Sequence, residues 1–147
     1  MVEIPLMMRQ DRKVDFKIDF LDHVAIRVKD LKVSACWYED VLGLKRYEPA
    51  HWRPFPIFLL AGKTGVALFP AKMGDQVLDP SSKHIKIDHF AFQLSPEDFA
   101  KARTHYTQLG IAYDFQDHHY FHSLYTQDPD GHTVELTTLV VAEEDFY

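Results

Sequence analysis

The sequence is poor in the residues that would make it a stapled, membrane-bound or nucleic-acid-bound protein. One cysteine, Cys36, stands in 147 residues, so no disulfide forms within the chain. No stretch approaches the roughly 18 apolar residues of a membrane-spanning helix. The longest uncharged apolar run, Ile57-Phe58-Leu59-Leu60-Ala61, is the size of a strand. No block of Lys or Arg occurs, and 22 acidic against 16 basic residues leave a net charge of −6, a poor balance for binding nucleic acid. The opening residues Met1-Val2-Glu3-Ile4-Pro5-Leu6 lack a basic region followed by an apolar one, the pattern of a secretory signal. Together with the lone cysteine these absences predict a cytoplasmic protein with no membrane and no nucleic-acid partner.

What is present is a core and histidines. Apolar residues make up 46% of the chain, and 14% aromatic content with 6 glycines argues against disorder. A chain of this length buries about two-thirds of its unfolded surface, enough to fold as one domain without a metal staple. The nine histidines make the charge sensitive to pH and raise the question of ligands or proton chemistry.

Two of the histidines repeat. Leu21-Asp22-His23-Val24-Ala25-Ile26-Arg27-Val28 matches Ile87-Asp88-His89-Phe90-Ala91-Phe92-Gln93-Leu94, 66 residues later. Each segment alternates as a strand: Val24, Ile26 and Val28 share one face, Phe90, Phe92 and Leu94 another. The opposite faces carry His23, Ala25 and Arg27, and His89, Ala91 and Gln93, a pattern a hydrophobic core does not require. A helix follows each strand. Ser95 is a good N-cap, Pro96 sits at the first helical position, Phe99, Ala102, Tyr106 and Leu109 make an apolar face, and Gly110 ends the helix. The first helix starts near Asp30, is expected to bury Val33, Trp37 and Val41, and stops at Gly43. Cys36, beside Trp37, reads as a small buried hydrophobe.

Strand-like stretches follow at 45–52, 56–61 and 65–70, and again at 111–116, 120–127 and 132–140, with Asp128-Pro129-Asp130-Gly131 a strong turn signal. The predicted fold is therefore α+β, built from two βαβββ modules. The expected division is an N-terminal arm at 1–19, module one at 20–71, a linker at 72–85, module two at 86–140 and a tail at 141–147. In the last strand, Val134 and Leu136 form the greasy side, which turns Glu135 to the face that bears the histidines elsewhere. A mid-strand carboxylate there is a poor choice for packing. Two imidazoles and a carboxylate make a facial triad for one divalent metal, so His23, His89 and Glu135 are the expected ligands. The N/O donor set suits Fe, Mn, Zn, Ni or Co alike.

Four segments in order, Asp22-His23-Val24-Ala25, Tyr38-x-x-Val41-Leu42-Gly43-Leu44, Asp88-His89-Phe90-Ala91 and Tyr125-x-x-Asp128-Pro129-Asp130-Gly131-x-x-x-Glu135, resemble the vicinal oxygen chelate superfamily. That superfamily holds glyoxalase I, extradiol dioxygenases, fosfomycin-resistance thiol transferases and bleomycin-resistance proteins. The resemblance spans roughly residues 20–140. It implies the glyoxalase/dioxygenase fold, a cupped mixed sheet around a metal cavity, with His23, His89 and Glu135 as ligands. It also implies a homodimer in which the site can be built from two chains, with Trp37, Phe55 and the arm at 1–19 as candidate contacts. Glyoxalase I takes a fourth ligand from the last strand of its first module; here the position 67 residues before Glu135 is Leu68, which cannot bind a metal. The resemblance to extradiol enzymes is partial. It makes His118, or its neighbour His119, an acid/base group and Tyr125 a hydrogen-bond donor to a bound substrate oxygen. The function expected is a metal-dependent enzyme that chelates a small oxygenated substrate, with dioxygenase-like or lyase/isomerase chemistry. The alternatives are a metal-free ligand-sequestering protein of the bleomycin-resistance type and a metal-dependent thiol transferase of the fosfomycin-resistance type. Of the cations Arg27, Arg46, Arg53 and Lys63, only Arg27 falls on a site-facing strand position, thin support for a phosphonate. The aromatic stretch Tyr47, His51, Trp52, Phe55 and Phe58 instead suits an aromatic or apolar substrate.

Overall fold

A computed structural model describes residues 14–147. Its elements are β1 (His23–Val28), α1 (Leu31–Leu42), β2 (Lys45–Tyr47), β3 (Ile57–Ala61), β4 (Thr64–Pro70), β5 (Phe90–Gln93), α2 (Pro96–Leu109), β6 (Asp114–Asp117), β7 (Phe121–Gln127) and β8 (Thr133–Leu139), with 3-10 turns at Ala50–Trp52 and Glu143–Asp145. They form two four-stranded sheets of the same topology, β1-β4-β3-β2 and β5-β8-β7-β6. In each, the strand before the helix runs parallel to the last strand of the module, and the remaining pairs are antiparallel. This is the predicted pair of βαβββ modules. No helix among the described residues is long and apolar enough to cross a membrane.

The helix ends obey local chemistry. The Asp30 carboxylate accepts from the backbone N–H groups of Lys32 and Val33 at the start of α1, and Ser95 accepts from Asp98 at the start of α2. Gly43 and Gly110 close the two helices in the left-handed conformation. The predicted 45–52 strand is cut short at Tyr47, because Pro49, which has no N–H for a ladder, leads into the 3-10 turn.

The greasy faces of both sheets meet in a shared core. Ile26, Val28, Ala35, Tyr38, Leu59, Val66 and Leu68 of the first module pack with Val134, Phe90 and Phe92 of the second. The histidine-bearing faces consequently point away from this core. Two expectations for α1 need correction. Val33 is 53% exposed, whereas Ser34, Ala35, Tyr38 and Val41 form the buried stripe. Cys36 is exposed, on the side of the helix away from Ser34 and Tyr38. Trp37 is partly buried and packs against both core clusters. At the other helix, Phe99 and Tyr106 are buried, but Leu109 is largely exposed.

The cause of the rotated stripe lies in the second module. The Tyr38 hydroxyl donates to Asp128 Oδ2 at 2.8 Å, and Ser34 Oγ donates to Asp130 Oδ2 at 3.2 Å. Asp130 Oδ1 also accepts from the Lys29 backbone N–H, and Asp128 Oδ1 accepts from the N–H groups of Asp130 and His132. The Asp128–Gly131 turn is thus a buried polar latch between modules. Burial pushes the Asp128 carboxyl above the usual carboxylate range, and burial beside Asp128 pushes the Tyr38 hydroxyl up as well. Gly131 has φ +88°, and a Cβ there would lie 2.4 Å from the Leu78 carbonyl oxygen, where the linker crosses the turn.

Of the predicted N-terminal arm, residues 1–13 lie outside the described residues. Residues 14–19 form no helix or strand, and Val14, Phe16 and Ile18 are exposed.

Candidate functional site

The open face of each sheet carries one histidine of the repeat, and the two faces differ in what surrounds it. On the second sheet, His89 stands immediately before β5, and Glu135 is the cross-strand partner of Ala91. Their side chains meet, with His89 Nε2 and Glu135 Oε2 2.9 Å apart. His89 Nδ1 lies 2.8 Å from Asp88 Oδ2, and this hydrogen bond holds the Asp88 carboxyl below its ordinary pKa. Glu135 is 8% exposed, a largely buried carboxylate that faces the His89 imidazole.

Tyr125 faces Glu135 across the β7–β8 ladder, and its ring packs edge-on to His89 with centroids 5.5 Å apart. His118 Nε2 lies 3.0 Å from the Tyr125 hydroxyl. Partial burial, reinforced by the neighbouring Glu135 carboxylate, raises the pKa of that hydroxyl and keeps it protonated. His119 has a positive φ of 73° and turns away into the β6–β7 connection, where its ring packs on Tyr120. The second sheet therefore gathers four of the five predicted site residues: His89, Glu135, Tyr125 and His118.

His23 stands apart, on the first sheet. Its Nδ1 is 2.8 Å from Asp22 Oδ2, the same arrangement as His89 with Asp88. In both cases a carboxylate at the preceding position grips one ring nitrogen and leaves Nε2 directed elsewhere, as the outer partners of metal-binding histidines do. Asp22 and Asp88 are the site residues that sequence reasoning passed over, although the repeated Asp-His dipeptide was their signal. Among the described residues, no three His, Cys, Asp or Glu side chains of one chain converge as a metal site. The shared core explains this: packed through their greasy sides, the modules direct His23 and the His89–Glu135 pair outward on separate sheets.

Strand register also corrects the fourth position. Glu135 pairs with Ala91, and the equivalent of Ala91, Ala25, pairs with Ala67. The structural counterpart of Glu135 is therefore Ala67, not Leu68, which is fully buried in the core. Alanine binds no metal either, so this position offers no donor.

The sequence model of the Glyoxalase/Bleomycin resistance protein/Dioxygenase superfamily matches residues 20–136, which include both Asp-His segments and Glu135. The chain belongs to this superfamily. It is similar to a protein named glutathione transferase FosA from Serratia marcescens, with 30% identity over 116 residues, 79% of this chain and 78% of the relative. Solved structures with the same fold include a glyoxalase/dioxygenase from Nostoc punctiforme, with a TM-score of 0.72, 22% identity and coverage of 88% of this chain and 100% of the other. Another is the fosfomycin resistance protein FosX from Listeria monocytogenes, with a TM-score of 0.64, 19% identity and coverage of 89% and 100%.

Proposed function

We propose that this superfamily member is a divalent-metal-dependent enzyme that chelates a small oxygenated substrate, with dioxygenase-like or lyase/isomerase chemistry. The observation that carries the reading is the His89–Glu135 pair, its imidazole held from behind by Asp88, together with the matching Asp22–His23 unit. Two imidazoles and one carboxylate suit a divalent ion with positions left for substrate. Such an ion supplies Lewis-acid stabilisation of developing negative charge on substrate oxygen. Asp22 and Asp88 fix the ring orientation of the two histidines, so that Nε2 is the coordinating atom in each. At rest the Tyr125 hydroxyl is protonated and can donate a hydrogen bond, and in this proposal His118 Nε2, 3.0 Å away, serves as its proton-exchange partner during turnover.

A second copy of the chain completes the set in this proposal. Its His23 joins His89 and Glu135 of the first copy, and the reciprocal site forms by symmetry. Two features support the arrangement. The histidine faces are open, and β1 and β5 are both edge strands, each with hydrogen-bonded neighbours on one side only. A groove of about 1140 Å³ is lined by residues of both edge strands, Val24 of β1 and Phe90 and Phe92 of β5, with Leu42, His89 and Leu136.

Metal analysis of protein purified without chelators tests the reading. About one divalent ion per chain is expected, and His89→Ala is expected to lose it. Metal content that is negligible, or unchanged in His89→Ala, overturns it.

The 30% identity to a protein named glutathione transferase FosA supports a second reading, thiol transfer to a phosphonate. Turnover of fosfomycin with glutathione and Mn²⁺ decides between the two. The scarcity of cations on the open faces favours the first.

A further inference from the structure

The back of the second sheet carries a pocket that the metal site has no use for. Phe115 of β6 pairs with Leu124 of β7, and Asp117 pairs with His122, so Phe115 and His122 share the side of the sheet on which Leu124 is buried under α2. Tyr125 and its partner Glu135 lie on the opposite side. In the order β5-β8-β7-β6, β6 is the edge furthest from β5, the edge given to the second copy in the proposed function. Between β6 and α2 there is a pocket of about 530 Å³, within the size range of small-molecule sites. One wall is a stripe of α2 at one-turn spacing, Phe99, Arg103 and Thr107, and the other is Tyr113, Phe115 and His122. The two walls are graded along their length. Phe99 meets Phe115 edge-on with centroids 6.5 Å apart, and His122 lies 5.3 Å from Phe115, which makes one end a cluster of rings. Arg103 stands in the middle of the stripe. Its guanidinium carbon lies 4.6 Å from the Phe115 ring centre and 5.8 Å from that of Tyr113, and its Nε donates to the Tyr113 hydroxyl at 3.2 Å. These contacts hold the guanidinium in place before any ligand arrives, which lowers the ordering cost of binding.

What this guanidinium lacks is an anion. Arg46, in the first module, is engaged by Glu39 and Glu48. Among the described residues, the Arg103 side chain makes one hydrogen bond, to a phenol, and no Asp or Glu lines its pocket. That bond, with one from Thr107, holds the Tyr113 hydroxyl below its ordinary pKa, as expected beside a cation without a carboxylate. The remaining charges are accounted for. Lys86, Lys101 and Arg103 are the only Lys or Arg residues of the second module. Lys86 precedes β5 at the far edge, and Lys101 turns to Glu97 and Asp98. Asp117 faces His122 with Oδ2 3.6 Å from Nε2, and Asp114 accepts from Gln116 on the other side of β6. The pocket thus holds one permanent positive charge, and its two Nη groups keep their N–H donors. A guanidinium in this state matches one carboxylate through two parallel hydrogen bonds. The Thr104 and Thr107 hydroxyls already donate to the carbonyl oxygens of Ala100 and Arg103, so they add no donors for a dianionic phosphate.

We propose that the pocket between α2 and β6 binds a small organic monocarboxylate, with its acid on Arg103 and its apolar body at the end formed by Phe99, Phe115 and His122. This is a second ligand site, on the opposite side of the sheet from the metal ligands, and it does not rest on the metal reading. A planar body suits the apolar end because the rings there present edges and faces to it.

The test titrates benzoate into isotope-labelled full-length protein and follows backbone amide and arginine side-chain resonances by NMR. Benzamide and inorganic phosphate are the comparators. Benzoate is expected to shift the Arg103 Nε signal together with amides of α2 and β6. It is expected to bind about tenfold more tightly than benzamide, which has the same ring and no charge. Arg103→Gln is expected to erase that preference, and Arg103→Lys to keep part of it. Melting curves identify any variant that fails to fold, and the comparison of probes in the unaltered protein needs no variant. Absence of benzoate binding, equal binding of benzoate and benzamide, or a preference that survives Arg103→Gln overturns the proposal. Shifts confined to the surroundings of His89 and Glu135 also overturn it, because they place the acid on the metal-ligand face. Phosphate that displaces benzoate at equal concentration does the same, by marking a site for simple anions.

Discussion

The two open sheet faces are built on one plan and equipped differently. Each begins with an Asp-His pair in the same hydrogen-bonded geometry, 2.8 Å in both cases, followed by a strand whose outward positions start with alanine. Beyond that they diverge. Around His23 the neighbours are rings: Phe58, Trp52, Tyr47, and Phe69 under Arg27. Around His89 they are polar: Glu135, Tyr125 and His118, with Ser123 and Thr137 joined at 3.0 Å on the same sheet. The position that holds Glu135 in one sheet holds Ala67 in the other. A duplicated module has thus kept the part that presents an imidazole and divided the rest. The second face carries ionisable and hydroxyl side chains, the groups given charge and proton roles in the proposed function. The first carries mainly aromatic rings. Such a division is useful only when the two faces meet, which is why the second copy enters the proposed site.

The largest expected effect breaks the comparison directly. His23→Ala and Glu135→Ala are each expected to abolish activity when purified alone. If the site joins the first face of one copy to the second face of the other, mixing the two variants through a refolding step restores one intact site in each heterodimer. Activity then returns to about a quarter of the wild-type level. A mixture that stays inactive, while a refolded wild-type control recovers, refutes the two-chain site.

The latch at Asp128 belongs to neither face and should affect both alike. Its carboxylate accepts three hydrogen bonds in a buried setting, from Tyr38, Asp130 and His132. Asp128→Ala is expected to cost about 3 kcal/mol of unfolding free energy in urea titration, since three donors lose their partner. The pH dependence has a definite sign. The folded-state pKa of Asp128 is raised by burial, so its contribution is full below the ordinary carboxylate range and is lost as pH rises through the raised value. Asp128→Asn keeps a carbonyl acceptor and cannot ionise. The stability of the wild type relative to this variant should therefore fall as pH rises from about 4 towards neutrality. A flat or rising difference refutes the assignment.

A smaller effect tests the proton-moving role of the second face. Tyr125→Phe removes the hydroxyl that sits 3.0 Å from His118 Nε2 but leaves the ring against His89. The expected result is unchanged metal content with kcat lowered by about a hundredfold. His118→Gln should produce a smaller loss and remove one limb of the pH–rate profile. Loss of metal together with activity in Tyr125→Phe would make Tyr125 a support of the metal centre instead.

What could be read from the residues follows a physical divide. Alternation is local, so the inward sides of Val24, Ile26 and Val28 and the outward side of Glu135 were legible. Caps are local too, and Asp30, Ser95, Gly43 and Gly110 all sit where expected. The latch was not legible, because Asp128 and Tyr38 are 90 residues apart and an Asp-Pro-Asp-Gly run reads as an ordinary turn. Its consequence, the rotation of the α1 stripe from Val33 to Ser34 and Tyr38, was hidden with it. The exchange of Leu68 for Ala67 arose because counting along the chain carries the one-residue drift between modules, whereas strand pairing does not. The separation of His23 from His89 is set by which faces the modules pack together, and no periodicity encodes that choice.

The smallest effect expected is on the outer side of α1. Val33 and Cys36 are exposed in the chain as described, and neither belongs to the buried stripe. Cys36 Sγ lies 3.5 Å from an Arg46 nitrogen, but Arg46 is already held by Glu39 with its Nε 2.7 Å from a carboxylate oxygen. Val33→Thr and Cys36→Ser are therefore expected to change the unfolding free energy by no more than about 0.5 kcal/mol, the ordinary range for surface positions. By contrast, Tyr38→Phe should cost about 1–2 kcal/mol, by leaving Asp128 Oδ2 without its donor in a buried site. The contrast is read from urea titrations of the three variants under one set of conditions. A Val33→Thr loss as large as that of Tyr38→Phe would mean that α1 presents its Val33 side to another surface, and the division between a buried latch side and an open outer side would have to be redrawn.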